Sequence, residues 1–446
     1  MRGMRENAAM TTVSITSGAL RGVLTSGVRA HLGIPYAAPP VGELRFAAPA
    51  SVRPWTGVRD ATAPGLAAVQ DPAPSRLVPK AVPGFGEDCL TVNVWAPEHA
   101  EGLPVLVWLH GGLFQIGSAS AACYAGEHLA RRGVVVVGVN YRLGALGYLR
   151  TPEGEGNFGL QDQLAALEWV RDNIGAFGGD PAQVTVAGQS AGAYSILALA
   201  TLPRAAGLFR RAILQSTPFD VDTGHEERAI LTADLFRTAA GIPDGDLAAL
   251  RALSTDQVLA AQLEAAREWR TIAPGGPTFI PYVDGRVLTT APGAAAIAGG
   301  LDHLDLMIGC TAGERVDGLP PHIPPDAFAA HFVTGSFRLA EHRAEVGRPV
   351  PFFWWRWPDD NGVYHCAELP YVFGTLPAFA GSPLLAGTPE QQAELVEAAQ
   401  TAWIDFVRTG DPGWPGYTLT DRQAMAFDVP AELVTLPAPA PIRPPG

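Results

Sequence analysis

Val184-Thr185-Val186-Ala187-Gly188-Gln189-Ser190-Ala191-Gly192-Ala193-Tyr194-Ser195 carries the strongest fold signal in the chain. Its first residues are short, apolar and β-branched, which predicts a buried strand. The residues after it, through Ile196-Leu197-Ala198-Leu199-Ala200, predict a helix. A strand that turns straight into a helix around Ser190 needs small neighbours, and Gly188 and Gly192 supply them. The pattern is G-x-S-x-G, in which the serine is left on a strained strand-to-helix turn. Free N–H groups at the helix start, Ala191 first, would then point at an oxyanion formed there. The pentapeptide alone is weak evidence. With 50 Gly among 446 residues, chance supplies on the order of 0.2 matches in such a chain. The strand-turn-helix context is what gives it weight.

Working outward, Pro104-Val105-Leu106-Val107-Trp108-Leu109 reads as a fully buried strand running into His110-Gly111-Gly112-Leu113-Phe114. Paired glycines directly after a buried strand suit a loop whose N–H groups face a ligand; an ordinary tight turn is the plainer reading. Val134 to Val139 is a second central strand. Leu160 to Ile174 has helical periodicity and leads, through Phe177-Gly178-Gly179-Asp180-Pro181, into the serine strand. Further strands are expected at Ala212–Ser216, Asp305–Gly309 and Pro351–Trp357, and one by alternation at Glu87–Trp95. Helices are expected over 226–270, interrupted at Pro243, near 326–342, and over Ala393–Arg408. Strand-loop-helix alternation of this kind predicts a parallel sheet wrapped by helices. The expected organisation is one α/β domain over 13–436, opening with a hairpin at 13–24 and carrying helical insertions at about 220–280 and 315–350. Residues 1–12 are expected to be disordered, 437–446 to form a Pro-rich unstructured tail, and Pro64–Pro83 to be a mobile loop.

Composition narrows the function classes. The chain is 47% hydrophobic, with 10 Trp and 18 Phe, enough for a large core. A net charge of −13 and a pI near 5.2 argue against nucleic acid or an anionic membrane as partner. No apolar run approaches the roughly 18 residues of a membrane span. The N-terminus lacks the apolar core of a signal peptide. Cys89, Cys123, Cys310 and Cys366 are widely spaced and fit no metal pattern. The expectation is a cytoplasmic protein with reduced thiols, no metal and no cofactor, as a monomer or small homo-oligomer.

A nucleophilic serine needs a base and an acid. Ligands in open α/β sheets bind outside the carboxyl ends of the strands, which filters the candidates. Glu314 and His365 each follow a strand end, and both come after Ser190, in the order Ser…acid…His. Asp317 is the rival carboxylate. Glu368 is read as a structural partner, and so is His110. His322, His331 and His342 fall in the irregular or helical insertion.

The chain resembles the type-B carboxylesterases, the family of cholinesterases and bacterial para-nitrobenzyl esterases. The matching segments run nearly from end to end. They include the Gly33–Phe46 loop, Glu87–Trp95, Pro104–Gly117, Asn140–Gly147, Asn157-Phe158-Gly159-Leu160-Gln161-Asp162-Gln163, Asn173–Pro181, Gly188–Gly192, Tyr364–Gly374 and Trp403–Pro412. The resemblance implies an α/β-hydrolase fold, with a mostly parallel central sheet flanked by helices. It implies Ser190 as nucleophile, Glu314 as acid and His365 as base. It gives Gly112, Leu113 and Ala191 as the oxyanion hole, and Ser216 as support for the acid. Leu113 and Phe114 would line an apolar pocket for a neutral small-molecule ester. Departures from the family pattern are Gln189 for the commoner Glu, Arg315 for the Gly after the acid, Thr217 for the Gly after Ser216, and Leu113 for Gly or Ala. Cys89 matches a disulfide cysteine of secreted members, with no cysteine upstream to pair with it. Only 51 positions separate Glu314 from His365, which implies a shortened helical lid. The expected activity is serine carboxylesterase. Acyl or ester transfer on a natural-product intermediate is the alternative, and a non-catalytic cholinesterase-like binding module a more distant one.

Overall fold

A computed structural model describes residues 9–436, except 74, 76, 80, 220–225, 243–244, 274–275, 317–324 and 359–361; for 325–328 only the backbone is described. Asp317, His322 and the tail 437–446 lie outside the described residues.

Thirteen strands form one sheet. In chain order they are β1 (Ala9–Ile15), β2 (Gly18–Thr25), β3 (Val28–Pro35), β4 (Val58–Asp60), β5 (Thr91–Pro97), β6 (Leu103–Leu109), β7 (Val135–Val139), β8 (Gly179–Gln189), β9 (Arg211–Gln215), β10 (Asp305–Thr311), β11 (Phe352–Trp355), β12 (Gln423–Phe427) and β13 (Glu432–Thr435). The spatial order is β1-β2-β3-β5-β7-β6-β8-β9-β10-β11-β12-β13, with β4 beside β2. The stretch from β7 to β12 is parallel throughout, and antiparallel strands close both ends. This is the mostly parallel, helix-flanked sheet of the α/β-hydrolase fold.

The apolar runs are continuous because both faces of the parallel strands are covered. Val105, Val107 and Leu109 of β6 pack into one layer, with the helices Phe158–Asn173 and Ala191–Ala200. Leu106 and Trp108 pack into the other, against Trp403 and Phe406 of the helix Pro389–Thr409. Alternate residues of a strand thus serve two cores. The chain leaves β6 for β7 on one side and later returns to β8 on the other. That reversal opens a crevice at the carboxyl ends of β6 and β8, where His110 and Ser190 follow.

Three segments depart from the sequence reading in their local structure, besides residues 33–35, read as loop, which belong to β3. Residues 9–12, expected to be disordered, extend β1 and pair with Arg21–Leu24, since Thr11 and Thr12 suit a strand and β2 supplies the partner. Residues 87–90 alternate like a strand yet lie outside β5. Two of their backbone bonds are local, from Cys89 to Glu87 and from Thr91 to Cys89, the Leu90 carbonyl accepts singly from the Tyr36 N–H, and Glu87 is held by Arg45. The segment 64–83 is expected to be mobile, but Ala67 to Gln70 are buried, and Gln70, Leu77, Val78 and Val82 form one wall of the site described below.

One buried ion pair ties three segments behind that wall. Arg142 donates from Nε and Nη2 to the two oxygens of Asp162, at 2.8 and 2.7 Å, and from Nη1 to the Ala47 carbonyl at 2.8 Å. The Arg142 backbone N–H adds a fourth bond, to Asp162 Oδ2. Removing one member leaves the other charged and unpaired in the core, which costs about 3–5 kcal/mol. Asp162→Ala is therefore expected to lose that much stability in urea unfolding; a loss below ~1 kcal/mol would show that the pair is dispensable.

Candidate active site

The turn from β8 into the helix Ala191–Ala200 places Ser190 at φ 54°, ψ −121°. Such a backbone is costly for a residue with a side chain, and it persists only where the surroundings enforce it. Here they do. A Cβ on Gly192 would lie 2.0 Å from the Leu109 carbonyl oxygen, and one on Gly188 would lie 2.6 Å from the Gly192 carbonyl carbon. β6, β8 and the helix therefore meet at glycine-only spacing. The Ser190 N–H is fixed by the Gln215 carbonyl at the end of β9.

The ends of β10 and β11, beyond β9 in the sheet, bring Glu314 and His365 to the site. Glu314 follows β10, is fully buried and has a positive φ of 43°. Its Oε1 accepts from Ser216 Oγ at 2.6 Å and from the Thr311 N–H at 2.7 Å. Its own N–H donates to Thr311 Oγ1 at 2.9 Å. Its Oε2 accepts a hydrogen bond from His365 Nδ1. A buried carboxylate is tolerable because every face is paired. The two departures near it cost nothing in backbone. Arg315 and Thr217 are not among the residues with positive φ, so neither position requires glycine. Arg315 instead pairs in extended form with Tyr364 and accepts from the His365 N–H at 2.9 Å, fixing the loop that carries the imidazole.

Burial works against protonation of His365, but the neighbouring Cys366 sulfur and the Glu314 carboxylate together outweigh it, and the ring is held well above the ordinary imidazole value of 6.5. Burial pushes the Cys366 thiol upward, so it stays protonated beside the ring. Burial likewise raises Glu368 to about 7; its Oε1 accepts from Gln215 Nε2 at 2.9 Å. The Phe332 ring lies over His365 with centroids 4.5 Å apart.

Ser190 and His365 open into one cavity of about 220 Å³. No hydrogen bond joins Ser190 Oγ to His365 among the described residues. His365 Nε2 lies instead 3.0 Å from Gln189 Nε2. The opposite wall is the loop after β6. Gly112 has φ 119°, and a Cβ there would lie 2.0 Å from the Ile116 carbonyl oxygen. Among the described residues the Gly112 and Leu113 N–H groups donate to no protein acceptor, and the Ala191 N–H begins a helix, where no intrahelical acceptor exists. Gln70 braces the loop from outside, donating to the Gly117 carbonyl at 2.8 Å and accepting from the Gly117 N–H at 2.9 Å.

The structure thus brings together Ser190, Glu314, His365, Gly112, Leu113, Ala191 and Ser216. It separates Phe114 from them. Leu113 and Phe114 both adopt left-handed backbone, at φ 58° and 61°. Leu113 turns outward and lines the cavity, 49% exposed. Phe114 turns inward, edge-on to Tyr148 and Tyr194, and does not line the cavity. Its place as a pocket residue is corrected accordingly. His110 is structural as read: its ring stacks on Tyr141 and burial lowers it to about 4. Sequence reasoning missed Thr311, Gln70, Phe332 and the apolar wall of Leu77, Val78 and Val82. Only Thr311, a hydroxyl three residues before Glu314 at a strand end, carried a usable local signal.

Known proteins share this architecture. The model of the Carboxylesterase family matches residues 9–328. A para-nitrobenzyl esterase of Bacillus subtilis is 36% identical, over 93% of this chain and 94% of its own length. Phenmedipham hydrolase of Pseudarthrobacter oxydans is 35% identical, over 91% and 92%. The solved structure of a PNB esterase superposes with a TM-score of 0.87 at 32% identity, covering 96% of this chain and 98% of that one. With the fold, the site geometry and these full-length likenesses in agreement, the chain belongs to the carboxylesterase family and is a carboxylic ester hydrolase.

Proposed function

We propose that this hydrolase cleaves neutral esters through an acyl-enzyme on Ser190, with His365 as base and Glu314 as the group that orients it. The observation that carries the reading is the convergence of the three side chains from the ends of β8, β10 and β11, two of them opening into one cavity and the third buried behind the base. Glu314 keeps the ring proton on Nδ1, so Nε2 is left to take the Ser190 proton. Oγ then attacks the ester carbonyl. The carbonyl oxygen gains its charge facing the N–H groups of Gly112, Leu113 and Ala191, each donor contributing about 3–4 kcal/mol to the transition state. The imidazolium returns its proton to the departing alcohol. Water, activated by the same ring, releases the acid. Phe332 and the buried thiol of Cys366 flank the imidazole where it meets the cavity and keep bulk water off the ring.

The cavity wall favours a neutral, apolar substrate. Leu77, Val78, Val82, Ile116 and Val316 line it, and no Asp, Glu, Lys or Arg does so among the described residues. Burying a charged acid or alcohol there would go uncompensated. The volume of about 220 Å³ suits a short acyl chain or a single aromatic ring. The name of the para-nitrobenzyl esterase makes para-nitrobenzyl esters, with chromogenic para-nitrophenyl esters beside them, the first probes.

Ser190→Ala and His365→Ala are expected to lower kcat by at least ~10⁴-fold, and Glu314→Gln by about 10⁴-fold. An organophosphate should label Ser190 in the parent and nothing in Ser190→Ala. Near-parental rates in Glu314→Gln, alongside an inactive Asp317→Asn, would transfer the acid role to Asp317. A second expectation concerns pH. The base works only as neutral imidazole, and its folded value lies above 6.5, so activity is lost as pH falls through that raised value. The acidic limb of kcat/KM should therefore lie above pH 6.5, and a limb centred below 6 would contradict the assignment. A third concerns Leu113, whose branched side chain stands in the cavity. Leu113→Gly should raise kcat/KM for tertiary-alcohol esters relative to ethyl esters by roughly tenfold or more; an unchanged ratio in a folded variant would leave Leu113 without a steric role.

A further inference from the structure

Gln189 immediately precedes the nucleophile, where the resemblance leads one to expect Glu. It is 1% exposed and faces the cavity. Its Nε2 lies 3.0 Å from His365 Nε2. The other side of the amide lies against the oxyanion loop: a Cβ on Gly111 would sit 2.6 Å from Gln189 Oε1 and 2.8 Å from the Gln189 carbonyl oxygen. The side chain is thus confined between the loop and the imidazole, in a slot that any side chain at 111 would close.

We infer that Gln189 is a positioning residue for the base, its amide N–H donating to the free lone pair of His365 Nε2 and so holding the ring in its neutral, proton-accepting form beside Ser190. The donor sense follows from the other end of the ring. Nδ1 faces the Glu314 carboxylate, which only accepts, so the single proton of a neutral imidazole resides on Nδ1. Nε2 is then an acceptor, and the N–H side of the Gln189 amide satisfies it. When Ser190 gives its proton to Nε2, that nitrogen becomes a donor and the amide N–H must release it. The bond therefore belongs to the resting enzyme and breaks as the reaction begins. This inference rests on the reading of His365 as the base.

Charge is the reason an amide differs from a carboxylate here. Among the described residues, the titratable or charged groups about the ring are Glu314 and Arg315 after β10, and Cys366 and Glu368 on the loop of His365 itself. The helix Pro325–Glu345 contributes the uncharged Phe332, and the β8 turn contributes Gln189 and Ser190. A hydrogen bond donated to the neutral ring favours the neutral form, whereas a carboxylate in the same place favours the imidazolium. A Glu at 189 would add a second acid, beside Glu314, pulling the proton onto the base.

The test is the pH profile of kcat/KM for a para-nitrophenyl ester in the parent, Gln189→Glu and Gln189→Leu. The acidic limb should move up by about one pH unit or more in Gln189→Glu, a loss of roughly tenfold in kcat/KM at any pH below both limbs. Gln189→Leu, which loses the donor without adding charge, should move it up by less. A limb in Gln189→Glu that superimposes on the parent's, or moves down, would overturn the inference. Nitrogen-15 NMR of the imidazoles in the parent, with the His365 signals assigned by their loss in His365→Ala, tests it even if the variants do not fold. A neutral ring carrying its proton on Nδ1 supports it; a proton on Nε2 overturns it. Organophosphate labelling of Ser190 in the same parent sample keeps the two readings apart: labelling with an unmoved limb removes Gln189 alone, while hydrolysis surviving in Ser190→Ala removes the base and Gln189 together.

Discussion

The close approach of backbone at the end of β8 is the constraint on which the site depends. Gly192 lies so near the Leu109 carbonyl that even a methyl group would overlap it. Without that spacing the helix could not start one residue after the strand, and Ser190 would have no reason to hold a left-handed backbone. The same contact sets the distance between the end of β6 and the start of the helix. It thereby fixes how far the loop donors at Gly112 and Leu113 stand from the Ala191 N–H. Strain at one residue is sustained by two strands and a helix that each bury a complete apolar face.

Charge at the site is managed by burial with full pairing. Glu314 is shielded from water yet meets Ser216, Thr311 and His365. These partners come from the ends of β9 and β10 and from the loop after β11, so the parallel order of the strands is itself a part of the electrostatics. Two glycines of the family pattern are replaced here, by Arg315 and Thr217, without disturbance. The left-handed φ falls on Glu314 and Ser216 themselves, and their successors are free to carry side chains. Arg315 spreads over the Tyr364 ring at 4.7 Å and braces the histidine loop by its backbone.

The sheet, its parallel centre and the helices on both faces follow from local pattern, because a strand buried on two sides must be apolar at every position and a helix between strands must carry a 3.6-residue stripe. That Ser190, Glu314 and His365 come together was legible for a related reason: each follows a strand end, and strand ends in such a sheet converge. The misreadings share one cause. Residues 9–12 gain order only from their partner β2, residues 87–90 lose their strand to an ion pair with Arg45, and Phe114 is drawn inward by two tyrosines far away in sequence. None of those partners is visible within a local window.

The class of fold, the tight turn at Ser190 and the order in which Glu314 and His365 follow later strand ends could be read from the chain alone, since these depend on residue type and spacing. Only the tertiary structure decided what surrounds them. It sets Gln189 against the Nε2 of His365, Phe332 over its ring, Gln70 against Gly117, and Leu113 outward while Phe114 turns in. The reason is physical: direction and contact of a side chain are fixed by whatever packs against it, and here those neighbours come from segments up to 176 residues away.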